Sequence, residues 1–127
     1  MKETIKISDA EWQVMKVIWA KSPIASNEIV EILKKTTKWS PTTVYTLINR
    51  LVNKKAIRVE AGSTPNICYP LVSQEEIRHE ESKNFVSKVF DGSLSLMLAH
   101  MVDEQTLSDE EIDELKHILD KSRDKRK

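Results

Sequence analysis

A chain of 127 residues, 39% hydrophobic and with two glycines, has room for one compact domain or a small domain plus a helical appendage; two full-sized domains or a large enzyme fold are excluded. Its 20 basic and 20 acidic residues cancel, yet residues 1–70 hold 11 Lys and Arg against 6 Asp and Glu, whereas residues 71–127 hold 9 against 14. A net of +5 facing −5 suits a chain with one half turned towards a polyanion; chance segregation of charge in a soluble protein is the alternative.

The opening MKETIKISDAEW lacks the apolar stretch of a secretory signal, and no run approaches the length of a membrane span, so the expectation is a soluble, cytoplasmic protein without membrane insertion. The single cysteine, Cys68, can form neither an internal disulfide nor a Cys-rich zinc site.

In chain order, Ser8-Asp9-Ala10-Glu11 has the spacing of a capping box and predicts a helix from Asp9 to about Ala20, ended by Ser22-Pro23. Its apolar residues, Trp12, Val14, Met15, Val17, Ile18 and Trp19, cover more than one face, which places the helix among neighbours. A second helix is expected over about Ala25–Lys35, with Ile29, Ile32 and Leu33 as its apolar stripe. The third has Ser40 as its cap and Pro41 at its first position, where a missing N–H costs nothing. Val44, Leu47, Ile48 and Leu51 form its core stripe, leaving Thr42, Tyr45, Thr46, Asn49, Arg50 and Asn53 on the other side.

Beyond Lys54-Lys55, the β-rich segments Ile57-Arg58-Val59 and Ile67-Cys68-Tyr69-Pro70-Leu71 flank a turn cluster, Gly62-Ser63-Thr64-Pro65-Asn66, and predict a hairpin. Such a hairpin must pack on the helices, and Ile57, Val59 and Tyr69 are its expected contacts. Ser73-Gln74-Glu75-Glu76 opens a fourth helix to about Phe90; Asp91-Gly92-Ser93 precedes a short apolar helix; Ser108-Asp109-Glu110-Glu111 caps a last one. The fold class is therefore mainly α with a small β-hairpin: a winged helix-turn-helix over residues 1–72, then a helical region over 73–127. Phe85, Val89, Leu94, Leu98, Met101, Leu115, Ile118 and Leu119 give the helical region more apolar surface than water favours, and a symmetric homodimer is the simplest cover.

In a helix-turn-helix the second helix of the motif enters the major groove with its N-terminal residues nearest the bases. Thr42, Thr43, Tyr45 and Thr46 are then the candidates for base contacts, Ser40 and the helix N-terminus for a phosphate, and Arg50, Lys54, Lys55 and Arg58 for backbone charge. The plainer reading of this face is a solvated helix surface. The wing tip carries no basic residue.

The segments ISDAEWQVMKVIW, KWSPTTVYTLINRLVNKK, Tyr69-Pro70-Leu71, SKNFVSKVFDGS and LSDEEIDEL together resemble the penicillinase and copper repressor family, BlaI/MecI/CopY. They run through nearly the whole chain in the family's order. The resemblance implies a repressor dimer on inverted-repeat operator DNA, joined by its C-terminal helices. In the penicillinase branch it also implies induction through a membrane-bound sensor protease, with cleavage inside the short apolar helix. This chain departs from the family in three places. Thr42 and Tyr45 stand where penicillinase repressors place basic residues; the cleaved Asn-Phe pair falls on His100-Met101; and the Cys-rich copper-sensing tail has no counterpart in the ending SRDKRK.

Other chemistry receives simpler explanations. His79, His100 and His117 lie on different predicted helices without ligand spacing, so neither metal nor cofactor is expected. Trp12 and Trp19 read as core, and Trp39 as a residue fixing the entry of the third helix. The carboxylates at Asp103-Glu104 and Asp109–Glu114 suit helix N-termini, and with no nucleophile–base pair or phosphate loop an enzyme is not expected. Cys68 reads as a small buried hydrophobe, with a redox trigger as the alternative. The competing functions are a winged-helix module that binds a protein partner, and a repressor of metal- or redox-linked genes without proteolytic induction.

Overall fold

The computed structural model describes residues 5–60, 62, 64–104 and 106–125; the opening residues, the turn residue Ser63 and the last two residues of SRDKRK lie outside them. The elements run α1 (Asp9–Lys21), β1 (Ile24–Ala25), α2 (Ser26–Thr37), α3 (Pro41–Asn53), β2 (Ile57–Glu60), β3 (Ile67–Pro70), α4 (Gln74–Val89), α5 (Leu94–Glu104) and α6 (Asp109–Lys125). The architecture is mostly helical with one small antiparallel sheet, ordered β1-β3-β2.

Local chemistry sets the helix starts. The Ser8 hydroxyl accepts the Glu11 N–H at 3.1 Å while the Ser8 N–H donates to Glu11 Oε1 at 2.8 Å, the reciprocal capping box. Ser73 and Ser108 cap α4 and α6 through the N–H groups of Glu76 and Glu111, at 3.0 and 3.1 Å. α2 starts without a side-chain cap, and the Ser26 N–H instead donates to the Asn66 carbonyl at 2.8 Å, tying the helix start to the segment entering β3.

By its contacts the chain divides into two compact units, up to Ser82 and from Lys83 onward. The division by contacts falls inside α4, whose first half, with the buried Ile77, is grouped with the first unit. In that unit Val14, Met15, Ile18, Ile29, Leu33, Val44, Leu47, Ile48 and Leu51 form one core beneath the sheet residues Ile24, Ile57 and Cys68. Trp12 and Trp19 meet edge to face with centroids 5.3 Å apart, and the Trp19 indole N–H donates to the Val72 carbonyl at 2.9 Å. Trp39 packs part-buried against the same core.

Two sheet features depart from the sequence reading. A third strand, β1, pairs with β3 through Ile24↔Cys68 and Ala25↔Ile67, so the wing is more than a hairpin. Tyr69 does not pack on the helices. Alternation along β3 turns Cys68 into the core, fully buried, and places Tyr69 on the opposite face.

In the second unit, Phe90 stands edge to face with both Phe85 and His100, at 5.8 and 5.9 Å between centroids. Phe85, Val89, Leu94, Met101, Ile118 and Leu119 are exposed, whereas Leu98 and Leu115 are half-buried. Among the described residues no single helix is long and apolar enough to cross a membrane, and no group of three or more His, Cys, Asp or Glu could hold a metal ion.

Candidate nucleic-acid interface

α3 divides into two faces. Val44, Leu47, Ile48 and Leu51 are buried, so the helix is fixed about its axis by the core. Thr42, Thr43, Tyr45, Thr46, Asn49 and Arg50 are exposed. Ser40 caps the helix by accepting the Thr43 N–H at 3.3 Å, and its hydroxyl lies 3.1 Å from that of Thr43. The Thr46 hydroxyl donates to the Thr42 carbonyl at 2.9 Å, which fixes its rotamer and leaves its lone pairs and methyl outward. With Pro41 at the first position and no acidic residue in the first turn, the N-terminal end keeps its positive electrostatic character. Six of the nine candidate contact residues, Ser40, Thr42, Thr43, Tyr45, Thr46 and Arg50, therefore lie on the exposed side of one helix or at its cap.

Of the other three, Lys55 is exposed just beyond the end of α3, and Arg58 and Lys54 are placed differently. Arg58 is exposed on β2 opposite Tyr69 on β3, and its guanidinium lies 4.3 Å from the centroid of the Tyr69 ring. The Tyr69 hydroxyl donates to Glu60 Oε2 at 2.9 Å, and this bond pushes the phenol above its usual pKa, so it remains a neutral donor. Arg58 thus stands on a braced platform. Lys54, at the C-cap of α3, reaches back to Glu11, where its ammonium donates to Oε1 and also to the Lys6 carbonyl at 2.7 Å. Glu11 is 1% exposed and the Lys54 side chain 38%. Lys54 is thereby drawn into the fold rather than standing free beside Arg50. The sequence reading missed this, since a Ser-x-x-Glu box explains Glu11 without requiring a cation.

Burial pushes the Glu11 carboxyl upward, but hydrogen bonds from Lys54 and Ser8, together with the Lys54 charge, outweigh it and hold the group below its ordinary 4.5. Glu11 Oε2 is buried without a hydrogen-bond partner among the described residues.

This arrangement, a core-fixed helix opening on Ser-Pro, preceded by two helices and followed by a braced wing, has close counterparts among known proteins. The family model described as penicillinase repressor matches residues 7–121. The chain belongs to the penicillinase repressor family. It is 39% identical over 119 residues to the methicillin resistance regulatory protein MecI of Mammaliicoccus sciuri, covering 94% of this chain and 97% of that protein. To the penicillinase repressor of Bacillus licheniformis it is 35% identical over 127 residues, covering 100% and 99%. The solution structure of the DNA-binding domain of the repressor BlaI superposes with a TM-score of 0.54 at 39% identity, over 60% of this chain and 93% of that one. A second solution structure, Bacillus licheniformis BlaI in monomeric form in complex with the blaP half-operator, gives a TM-score of 0.52 at the same identity and coverage. The winged helix-turn-helix of the first unit is thus the fold of this family's DNA-binding domain.

Proposed function

We propose that the chain is a sequence-specific DNA-binding repressor of the β-lactam-response type, acting as a homodimer on an inverted-repeat operator. The observation that carries this reading is the exposed face of α3, which presents hydroxyls and a phenol over its first turns and Arg50 farther along while its other face is locked in the core. A Thr methyl can meet a thymine methyl, hydroxyls can bond base edges or phosphates, and Arg50 and Arg58 neutralise phosphates. Ser40 and the N-terminus of α3 suit a phosphate. Lys54 serves the fold first. With threonines and a tyrosine near the bases rather than basic side chains, the operator sequence differs from those of penicillinase repressors that carry basic residues there.

Each half of the inverted repeat takes one winged unit, a stoichiometry supported by the relative bound as a monomer to a half-operator. The partner chain binds through the exposed apolar residues of the second unit, in which Phe85, Val89, Leu94, Met101, Ile118 and Leu119 remain about half open to solvent. Release follows proteolysis at or near His100–Met101 by a membrane sensor system. Both residues are exposed in α5, and cleavage there requires local unwinding of the helix.

The test is binding to an inverted-repeat fragment from upstream of its own gene at several salt concentrations. Competitor-resistant binding that weakens linearly in log salt is expected. Salt-insensitive association with a protein, without preference among DNA sequences, overturns the reading and favours a winged-helix protein-interaction module.

A further inference from the structure

Outside the α3 face, the first unit carries a groove of about 470 Å³ between α1 and the last turns of α2. Its walls are Val17 and Ala20 from α1 and Ile32 and Leu33 from α2, with Lys16 and Thr36 among the polar residues beside them. That volume lies in the range of small-molecule sites, and an apolar floor with a few polar groups is their usual construction. The two lysines that line it are not equivalent. Lys21 is tied to Glu28 at 3.2 Å, whereas Lys16 has no ion-pair partner among the described residues. An unpaired cation above an apolar floor complements a ligand with an apolar body and one negative charge.

We propose that this groove is an effector site for an amphipathic monoanion, such as an aromatic or branched carboxylate, with the apolar body on Val17, Ile32 and Leu33 and the carboxylate on Lys16. The groove is joined to the DNA-facing helix by a short hydrogen-bonded path. The Leu33 carbonyl accepts the Thr37 hydroxyl at 2.7 Å, and Thr37 Oγ1 in turn accepts the Trp39 N–H at 3.2 Å, one residue before the Ser40 cap of α3. A ligand that displaces the last turn of α2 thus alters the entry of α3. This regulatory part rests on the DNA-binding reading above; occupancy of the groove does not.

The test titrates the full chain, free of DNA, with 2-naphthoate and with its neutral counterpart 2-naphthalenemethanol, following backbone amide shifts. Saturable shifts centred on residues 13–36 and continuing through Thr37 and Trp39 to Ser40 are expected, with the acid binding about threefold tighter than the alcohol, the scale of one exposed ion pair. Lys16→Met should abolish that preference, and Ala20→Phe should block both ligands. Ala20 is exposed, so its replacement fills the groove without entering the core, and an otherwise unchanged amide spectrum verifies the fold. Shifts that instead map to the exposed apolar residues of 83–125, or equal affinity for acid and alcohol, overturn the site. Naphthoate that fills the groove and leaves operator affinity unchanged, in protein that binds operator, overturns the regulatory part. Absence of operator binding with the amide titration intact counts against the DNA reading alone.

Discussion

Glu11, in the first turn of α1, is bonded to Lys54 at the C-cap of α3, so one ion pair fastens the first helix of the unit to the end of the third. The pair is asymmetric: the carboxylate is buried and the ammonium partly open to water. Removing the cation therefore strands a buried charge, whereas removing the anion leaves Lys54 free to return to solvent.

Lys54→Met should destabilise the protein by about 2 kcal/mol at pH 7, below the usual cost of breaking a fully buried pair because one partner is part-exposed. Glu11→Gln should cost less, and the double variant should recover part of the Lys54→Met loss. The pH dependence has a definite sign. The folded carboxyl is held below its unfolded value, so its contribution is complete above that unfolded value and is lost as pH falls through the folded one. In Lys54→Met, burial is opposed by Ser8 alone, the carboxyl rises, and the gap from the parent should narrow between neutral pH and about pH 4. Urea unfolding midpoints at the two pH values measure this; a gap that stays constant or widens on acidification contradicts the assignment.

Arg50→Ala should weaken binding to operator and to unrelated duplex by similar factors and lower the salt slope by about 1, as expected of a phosphate contact. Thr42→Val and Tyr45→Phe should act differently, changing preference among operator variants while leaving the salt slope intact. Fluorescence anisotropy across a salt series separates the two classes. If Arg50→Ala selectively loses operator and retains non-specific affinity, Arg50 reads bases instead.

The elements whose causes are local were legible in the sequence. Ser8 with Glu11, Ser40 with Pro41, Ser73 and Ser108 each mark a helix start that the structure places at the next residue, because a cap satisfies N–H groups within three residues of itself. What escaped depends on partners distant in the chain. Two residues, Ile24 and Ala25, become a strand only by pairing with Cys68 and Ile67, and nothing within such a short segment marks it. The sequence reading turned both Cys68 and Tyr69 inward, which adjacent strand positions cannot do; Cys68 is the buried one, and the Arg58 and Glu60 partners of Tyr69 lie on another strand. The site shows the same division. The exposed face of α3 followed from helical periodicity, but the diversion of Lys54 to Glu11 required the packing of α1 against α3.

Cys68 should be slow towards thiol reagents in the folded protein. It is fully buried in the core, and burial raises its pKa above the ordinary 9.0, which lowers the thiolate fraction further. Labelling with a thiol-specific chromogen at pH 8 should be suppressed and should rise with urea along the unfolding transition. Fast labelling of native protein, or operator affinity that changes between reduced and mildly oxidised samples, would revive a redox trigger at this position.

The dimer reading makes a prediction that separates association from folding. Ile118 and Leu119 on α6 are 60% and 54% exposed in the single chain, whereas Leu115 is half-buried within it. Replacing Ile118 and Leu119 together by Glu removes apolar surface that only a partner can cover and adds like charges to an already acidic helix. Sedimentation should then report a monomer with unchanged helix content and poor affinity for the full inverted repeat, because two linked half-sites gain by effective concentration what one half-site lacks. Binding to an isolated half-site, which engages one winged unit, should be unaffected. Leu115→Glu should lower the stability of the α6 unit as well as its association, since that side chain is partly enclosed by its own chain. A dimer that survives the double substitution would place the contact on Phe85, Val89 and Leu94 rather than on α6.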